Sequence, residues 1–267
     1  MCDRPRTRPA SNMKVGSLFS GIGGLELGLE RAGMEVVWQV EKDPFCRKVL
    51  AKHWPDVTRY EDVHDVGAHN LEPVELICGG FPCQPVSQAG KRLAQADERW
   101  LWPEFARIIR ELRPRYALME NVPGLLVRGI GDVLGDLAEI GYNAEWECLS
   151  AGAFGAPHRR ERVFLVAYDH SQRIEGLWTE QVRRVAAFSW CQDVRGPTGF
   201  RGRPDIPDAL VRRKGDGHGA RVDALGNAVV PQVAEWIGER ILEAGRAEPL
   251  SDPTGDRCAT GQEPGPS

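Results

Sequence analysis

The chain has 267 residues, 42% hydrophobic and 27% charged, the proportions of an ordinary globular protein with room for one large α/β domain. No apolar run approaches the ~18 residues that span a bilayer, and the formal net charge of -4 gives no global pull toward nucleic acid. The seven cysteines are odd in number and scattered, which argues against a disulfide framework or a metal site and for a reducing, cytoplasmic setting.

Residues 1–13 carry Arg4, Arg6 and Arg8 among prolines without an apolar stretch. They read as a disordered leader rather than a secretory signal, with Met13 competing with Met1 as the start. Lys14 to Phe19 reads as a strand, followed by the turn Gly21-Ile22-Gly23-Gly24 and a helix through Arg31 that Gly33 ends. Met34 to Val40 is a second strand, and Pro44 to Trp54 a helix opening on proline. Val74 to Cys78 is a third strand. Phe105, Ile108, Ile109 and Leu112 share one face of a helix from Pro103 to Leu112. Arg115 to Met119 is the next strand, and Ile130, Val133, Leu134, Leu137 and Ile140 mark the next helix. Tyr142 to Ser150 and Arg162 to Tyr168 read as two more strands.

Alternating strands and helices predict a mainly parallel sheet with helices on both faces, a Rossmann-like α/β fold over residues 14–168. Residues 169–223 lose this periodicity, apart from a candidate helix near Thr179 to Phe188. From Ala151 to Val222 there are 13 Lys or Arg against 8 Asp or Glu, a locally basic segment. Periodicity returns at Val230, Val233, Ala234, Ile237 and Ile241, so residues 224–247 are expected to add a C-terminal helix to the domain. Residues 248–267, rich in Pro, Gly and Ser, read as a disordered tail.

Two sites stand out. Phe19-Ser20-Gly21-Ile22-Gly23-Gly24 lies between the first strand and first helix, where nucleotide cofactors bind and glycine lets backbone approach a ligand. It is not the dinucleotide fingerprint, because Glu26 stands where the third glycine belongs. Glu41, about 20 residues beyond Gly21 at the end of the second strand, is placed to grip ribose hydroxyls. The second site is Leu76-Ile77-Cys78-Gly79-Gly80-Phe81-Pro82-Cys83-Gln84-Pro85. There a buried strand breaks on two glycines and presents a thiol between prolines that stiffen the loop. Taken alone, Cys83 is either a nucleophile or a small buried hydrophobe.

These segments resemble motifs of the DNA cytosine-5 methyltransferases. Phe19 to Gly24 is similar to the family's first motif, Gly79 to Pro85 to its catalytic loop, and Met119-Glu-Asn-Val122 to its glutamate motif. His158-Arg-Arg-Glu-Arg-Val163 resembles the arginine motif and Ala224-Leu-Gly-Asn-Ala-Val-Val230 the last motif, in the same order and over about four-fifths of the chain. The resemblance implies S-adenosyl-L-methionine as methyl donor, double-stranded DNA as substrate, base flipping, and Cys83 as the nucleophile for carbon 6 of cytosine. It implies Glu120 on the base's N3 edge, Arg162 on its carbonyl oxygen with Arg160 in support, and Asn121 bracing the loop. For the cofactor it implies Phe19, the backbone of Ser20, Gly21, Gly23 and Gly24, Glu41, Asp62 (with Asp65 a competitor), Val63, Pro82, Trp102, Asn227 and Ala228. Gln84 and Ser87 would meet DNA in a closing loop. Lys42 stands where many relatives carry an aromatic residue.

The chain departs from the family in having about 55 residues between Tyr168 and Ala224, a reduced target-recognition segment. Short-site specificity, a helper chain or a degraded enzyme would each follow, and a phage or prophage setting is implied. A monomer is expected. Cytosine methylation in RNA, a silent chain that regulates a partner, and a dinucleotide oxidoreductase stay open as alternatives.

Overall fold

In the computed structural model of the protein, residues 13–82, 100–156, 158–170, 177 and 228–246 are described. Cys83, Gln84, Ser87, Asn227 and the candidate helix near Thr179 lie outside them.

Seven strands form one sheet: β1 (Lys14–Leu18), β2 (Glu35–Val40), β3 (Thr58–Tyr60), β4 (Leu76–Gly79), β5 (Tyr116–Asn121), β6 (Tyr142–Ser150) and β7 (Glu161–Asp169). Their order is β3-β2-β1-β4-β5-β7-β6. Strands β1 to β5 are mutually parallel, whereas β7 runs antiparallel to both β5 and β6. Residues 151–160, which join β6 to β7, are fewer than the dozen or more that a parallel crossover needs, so that pair closes as a hairpin. The helices are α1 (Gly24–Ala32), α2 (Pro44–His53), α3 (Trp102–Leu112), α4 (Leu125–Arg128), α5 (Ile130–Glu139) and α6 (Pro231–Ala244). No helix among the described residues is long and apolar enough to cross a membrane.

Alternation along the central strands builds two cores. Ile77, Ala117 and Met119 face the layer holding Phe105, Ile108, Val133 and Leu137 from α3 and α5. Leu76, Cys78, Tyr116 and Leu118 face the layer holding Leu25 and Leu29 of α1 and Val233 and Ile237 of α6. The sheet is therefore covered on both sides, as parallel strands require. A close approach of α1 to α6 depends on absent side chains. A Cβ at Gly24 would lie 2.4 Å from the Val229 carbonyl oxygen, and one at Gly28 2.3 Å from that of Pro231. This packing fixes Ala228 and Val229 beside the glycine turn.

One buried group works against the fold. Glu26, in the first turn of α1, is fully buried and neither carboxylate oxygen has a hydrogen-bond partner among the described residues. Burial pushes its carboxyl up from 4.5 to about 7, with the nearby Ser17 and Ser20 hydroxyls offsetting only part of the cost. The neutral acid is thus favoured in the folded state. Below the unfolded value folding bears no penalty; as pH rises toward the folded value the penalty grows to about 3 kcal/mol. Glu26→Gln should therefore stabilise the protein by roughly 2–3 kcal/mol at pH 8 and hardly at all at pH 4. Urea unfolding of both proteins at the two pH values checks this, and an equal difference at both would refute it.

Candidate active site

The carboxyl ends of β1, β2, β3, β4 and β5 open onto one cleft of about 890 Å³. It sits where the strand order reverses between β1 and β4, the usual ligand crevice of an open α/β sheet.

The glycine turn forms one wall. Phe19 has φ 54°, uncommon for a residue with a side chain, and Gly21 and Gly23 have φ 57° and 88°. The Phe19 ring stacks on Phe105 at 6.3 Å, which anchors the strained residue. Phe19, Ser20, Gly21 and Gly24 line the cleft. Gly23 does not; it caps α1, and a Cβ there would strike the Trp54 ring at 2.4 Å. Glu41 follows β2 and joins turn to helix. Its Oε2 accepts from the Gly21 N–H (2.6 Å) and its Oε1 from the Asp43 N–H (2.7 Å). Each oxygen keeps lone-pair capacity for a further donor.

Beyond β3, Asp62 and Val63 line the cleft and Asp65 does not. Asp62 caps the 3-10 turn Val63–Asp65, accepting from the His64 N–H at 3.1 Å. Arg107 of α3 clamps this turn by donating from Nη2 to the carbonyl oxygens of Val63 (2.9 Å) and Val66 (3.0 Å). Neither Arg107 nor His64 was marked by the sequence, because their roles depend on contacts 40 or so residues away or on a local turn.

The opposite wall comes from β4 and β5. Phe81 is buried among Trp100, Trp102 and Phe105, with ring centroids 5.4–6.2 Å away, and Pro82 lines the cleft. The Asn121 side chain donates from Nδ2 to the Phe81 carbonyl at 3.0 Å while its Oδ1 accepts from the Val122 N–H. Asn121 thus holds the segment that leads directly into Cys83. Trp102 is a correction to the expected lining. It is 1% exposed, donates from its indole to Asp136 at 2.7 Å and stacks on Phe105, while its neighbour Leu101 lines the cleft. Trp102 opens the amphipathic α3, so its ring turns into the core.

Glu120 and Arg162 meet at the centre. Glu120 is 8% exposed at the end of β5, and Arg162 Nε lies 3.0 Å from its Oε1. Burial pushes the Glu120 carboxyl up, and the cations of Arg162 and Arg160 only partly counter it. A Cβ at Gly80 would lie 2.9 Å from Glu120 Oε2, so glycine keeps the face of this carboxyl clear. Arg160 also lines the cleft, its Nε buried without a partner among the described residues, and desolvation lowers its pKa. A buried acid biased toward its neutral form, beside two guanidiniums, can donate a proton to a ring nitrogen while the cations bind an adjoining oxygen.

The model of the C-5 cytosine-specific DNA methylases matches residues 13–195. The chain belongs to this family. Among curated methylases, the Type II methyltransferase M2.BsuMI of Bacillus subtilis is 31% identical over 86% of this chain and 76% of its own length. M.FnuDI of Fusobacterium nucleatum is 36% identical over 58% of this chain, which spans 47% of that methylase. A DNA modification methyltransferase encoded within an E. coli prophage superposes with a TM-score of 0.51 at 31% identity, covering 60% of this chain and 47% of that one. The S. pombe Dnmt2 methyltransferase superposes with a TM-score of 0.56 over 80% of this chain and 67% of its own, and at 21% identity shares the fold. The methylase fold is thus the Rossmann-like α/β sheet that the alternating sequence pattern predicts.

Proposed function

We propose that this chain transfers a methyl group to carbon 5 of cytosine in double-stranded DNA, through a covalent adduct between Cys83 and a flipped base. The single observation that carries the reading is the Glu120–Arg162 pair at 3.0 Å facing the glycine turn across one cleft.

The cleft suits S-adenosyl-L-methionine. Positive φ at Phe19 and Gly21 turns the backbone sharply where it lines the cleft, and Glu41 has acceptor capacity left for ribose hydroxyls. When bound, the cofactor supplies an electrophilic methyl group on a sulfonium. Phe19, Glu41, Asp62, Val63, Pro82 and Ala228 would hold it, with Asn227 closing from the segment before α6. Glu41→Ala should weaken its binding by roughly 1–3 kcal/mol, because hydroxyl donors and the turn's N–H both lose their acceptor. Unchanged affinity by calorimetry would remove Glu41 from the site.

In the proposed chemistry, the Cys83 thiolate forms a bond to carbon 6 of the ring, and Glu120 gives a proton to N3 as electron density moves toward carbon 5. Arg162 binds the carbonyl oxygen, with Arg160 beside it. Carbon 5 would take the methyl group and lose its proton to water, the carbon–sulfur bond breaks to release the Cys83 thiolate, and N3 returns its proton to the Glu120 carboxylate, which restores the aromatic ring. Carbon 6 is out of reach inside a duplex, so the base must leave the stack. Gln84 and Ser87 would meet the DNA. Only about 55 residues separate Tyr168 from Ala224, and so short a sequence favours a short recognition site or a helper chain.

Bisulfite mapping of genomic DNA from cells expressing the chain tests the reading. Methylated cytosines in a repeated sequence context are expected. Unmodified DNA alongside methylated transfer RNA would overturn the choice of substrate.

A further inference from the structure

Next to Glu41, which takes the ribose hydroxyls in the reading proposed above, one wall of the cleft is a chain of polar contacts. Lys42, Asp62 and His64 all line it. Lys42 Nζ lies 2.9 Å from Asp62 Oδ2. Asp62 Oδ1 accepts from the His64 N–H at 3.1 Å and contacts His64 Nδ1 at 2.6 Å. A carboxylate offers about four lone-pair directions, so about one remains, on Oδ2. The His64 ring, its backbone N–H and then Lys42 hold the Asp62 carboxyl well below the usual carboxylate range, so it stays an acceptor. Lys42 keeps two donors after its bond to Asp62. Its side chain is 80% exposed, and so open an ion pair restrains the ammonium weakly.

The site therefore presents one acceptor and a mobile donor side by side. Adenine carries the complementary edge, an amine donor at carbon 6 flanked by acceptor nitrogens N1 and N7. We propose that Lys42 determines specificity in the purine subsite, donating from Nζ to a ring nitrogen of adenine while Asp62 Oδ2 accepts from the neighbouring amine. This rests on the cofactor reading above and adds to it a recognition residue that binds by hydrogen bonding.

Calorimetry with S-adenosylhomocysteine and its 1-deaza and 7-deaza analogues tests the pair, using the full chain and Lys42→Met. In the unaltered protein one of the two analogues should bind about tenfold more weakly than S-adenosylhomocysteine, as for loss of a hydrogen bond to a charged group. In Lys42→Met, S-adenosylhomocysteine itself should weaken about tenfold and that analogue's penalty should vanish. An identical penalty in both proteins, or no penalty in either, would overturn the proposal while leaving the cofactor reading intact. Failure of the unaltered protein to bind S-adenosylhomocysteine at all would sink the cofactor reading and this inference with it.

Discussion

Replacing Cys83 with serine is expected to reduce methyl transfer to background while leaving cofactor affinity within a few-fold. The argument starts from the segment that delivers the residue. Phe81 is locked in an aromatic cluster, its carbonyl is held by Asn121, and Pro82 fixes the backbone at the cleft wall. The next residue is the thiol. Attack on carbon 6 requires a thiolate; a serine hydroxyl at the same position ionises far less readily and is a much weaker nucleophile. Oxygen is smaller than sulfur, and the glycine turn is held by Glu41 and by the stacking of Phe19 on Phe105, so the cofactor half of the cleft is expected to remain. Tritium transfer from labelled cofactor reads the first quantity and calorimetry the second. Retained turnover in the serine variant would overturn the nucleophile assignment.

Glu120→Gln should lower the turnover number by about 10²–10⁴, the usual contribution of a positioned general acid. Glutamine keeps the size of the side chain above Gly80 and can still face Arg162, but it has no proton to give to N3. Burial raises the Glu120 pKa, so the reactive protonated form persists to higher pH than for an exposed glutamate. Activity of the unaltered chain should then fall on the alkaline side as Glu120 ionises. The residual activity of the glutamine variant should lack that fall. A variant with near-normal turnover, or with the same alkaline limb, would assign the proton to another group.

Most of the sheet was legible because its strands carry simple signals. The predicted limits of the strands and of α1, α2, α3 and α5 fall within about two residues of those observed, since apolar alternation, Gly33 and Pro44 punctuate the chain, whereas α6 is shorter than the 224–247 expected. The three-residue β3 and the short α4 were not legible; neither is long enough to express a period. The antiparallel setting of β7 follows from the length of its connection to β6 and could have been inferred from it. Within the site, Glu41, Asp62, Pro82, Glu120, Asn121, Arg160, Arg162 and Ala228 all line one cleft. Trp102 failed by one position because a helix start decides which of two adjacent side chains turns inward. The contacts of Gly24 and Gly28 with the segment entering α6, and of Arg107 with the Asp62 turn, join residues far apart in sequence and leave no local pattern.

The most direct measurement is capture of the adduct. The full chain would be incubated with cofactor and duplex DNA in which 5-fluorocytosine replaces cytosine. Fluorine at carbon 5 cannot leave as the proton does, so the sulfur bond cannot be released after methyl transfer. A denaturation-resistant protein–DNA species is predicted, with the modified base on the peptide containing Cys83 and none formed by the serine variant. A chain that methylates ordinary DNA but gives no such species, or one whose attachment maps away from Cys83, would contradict the account.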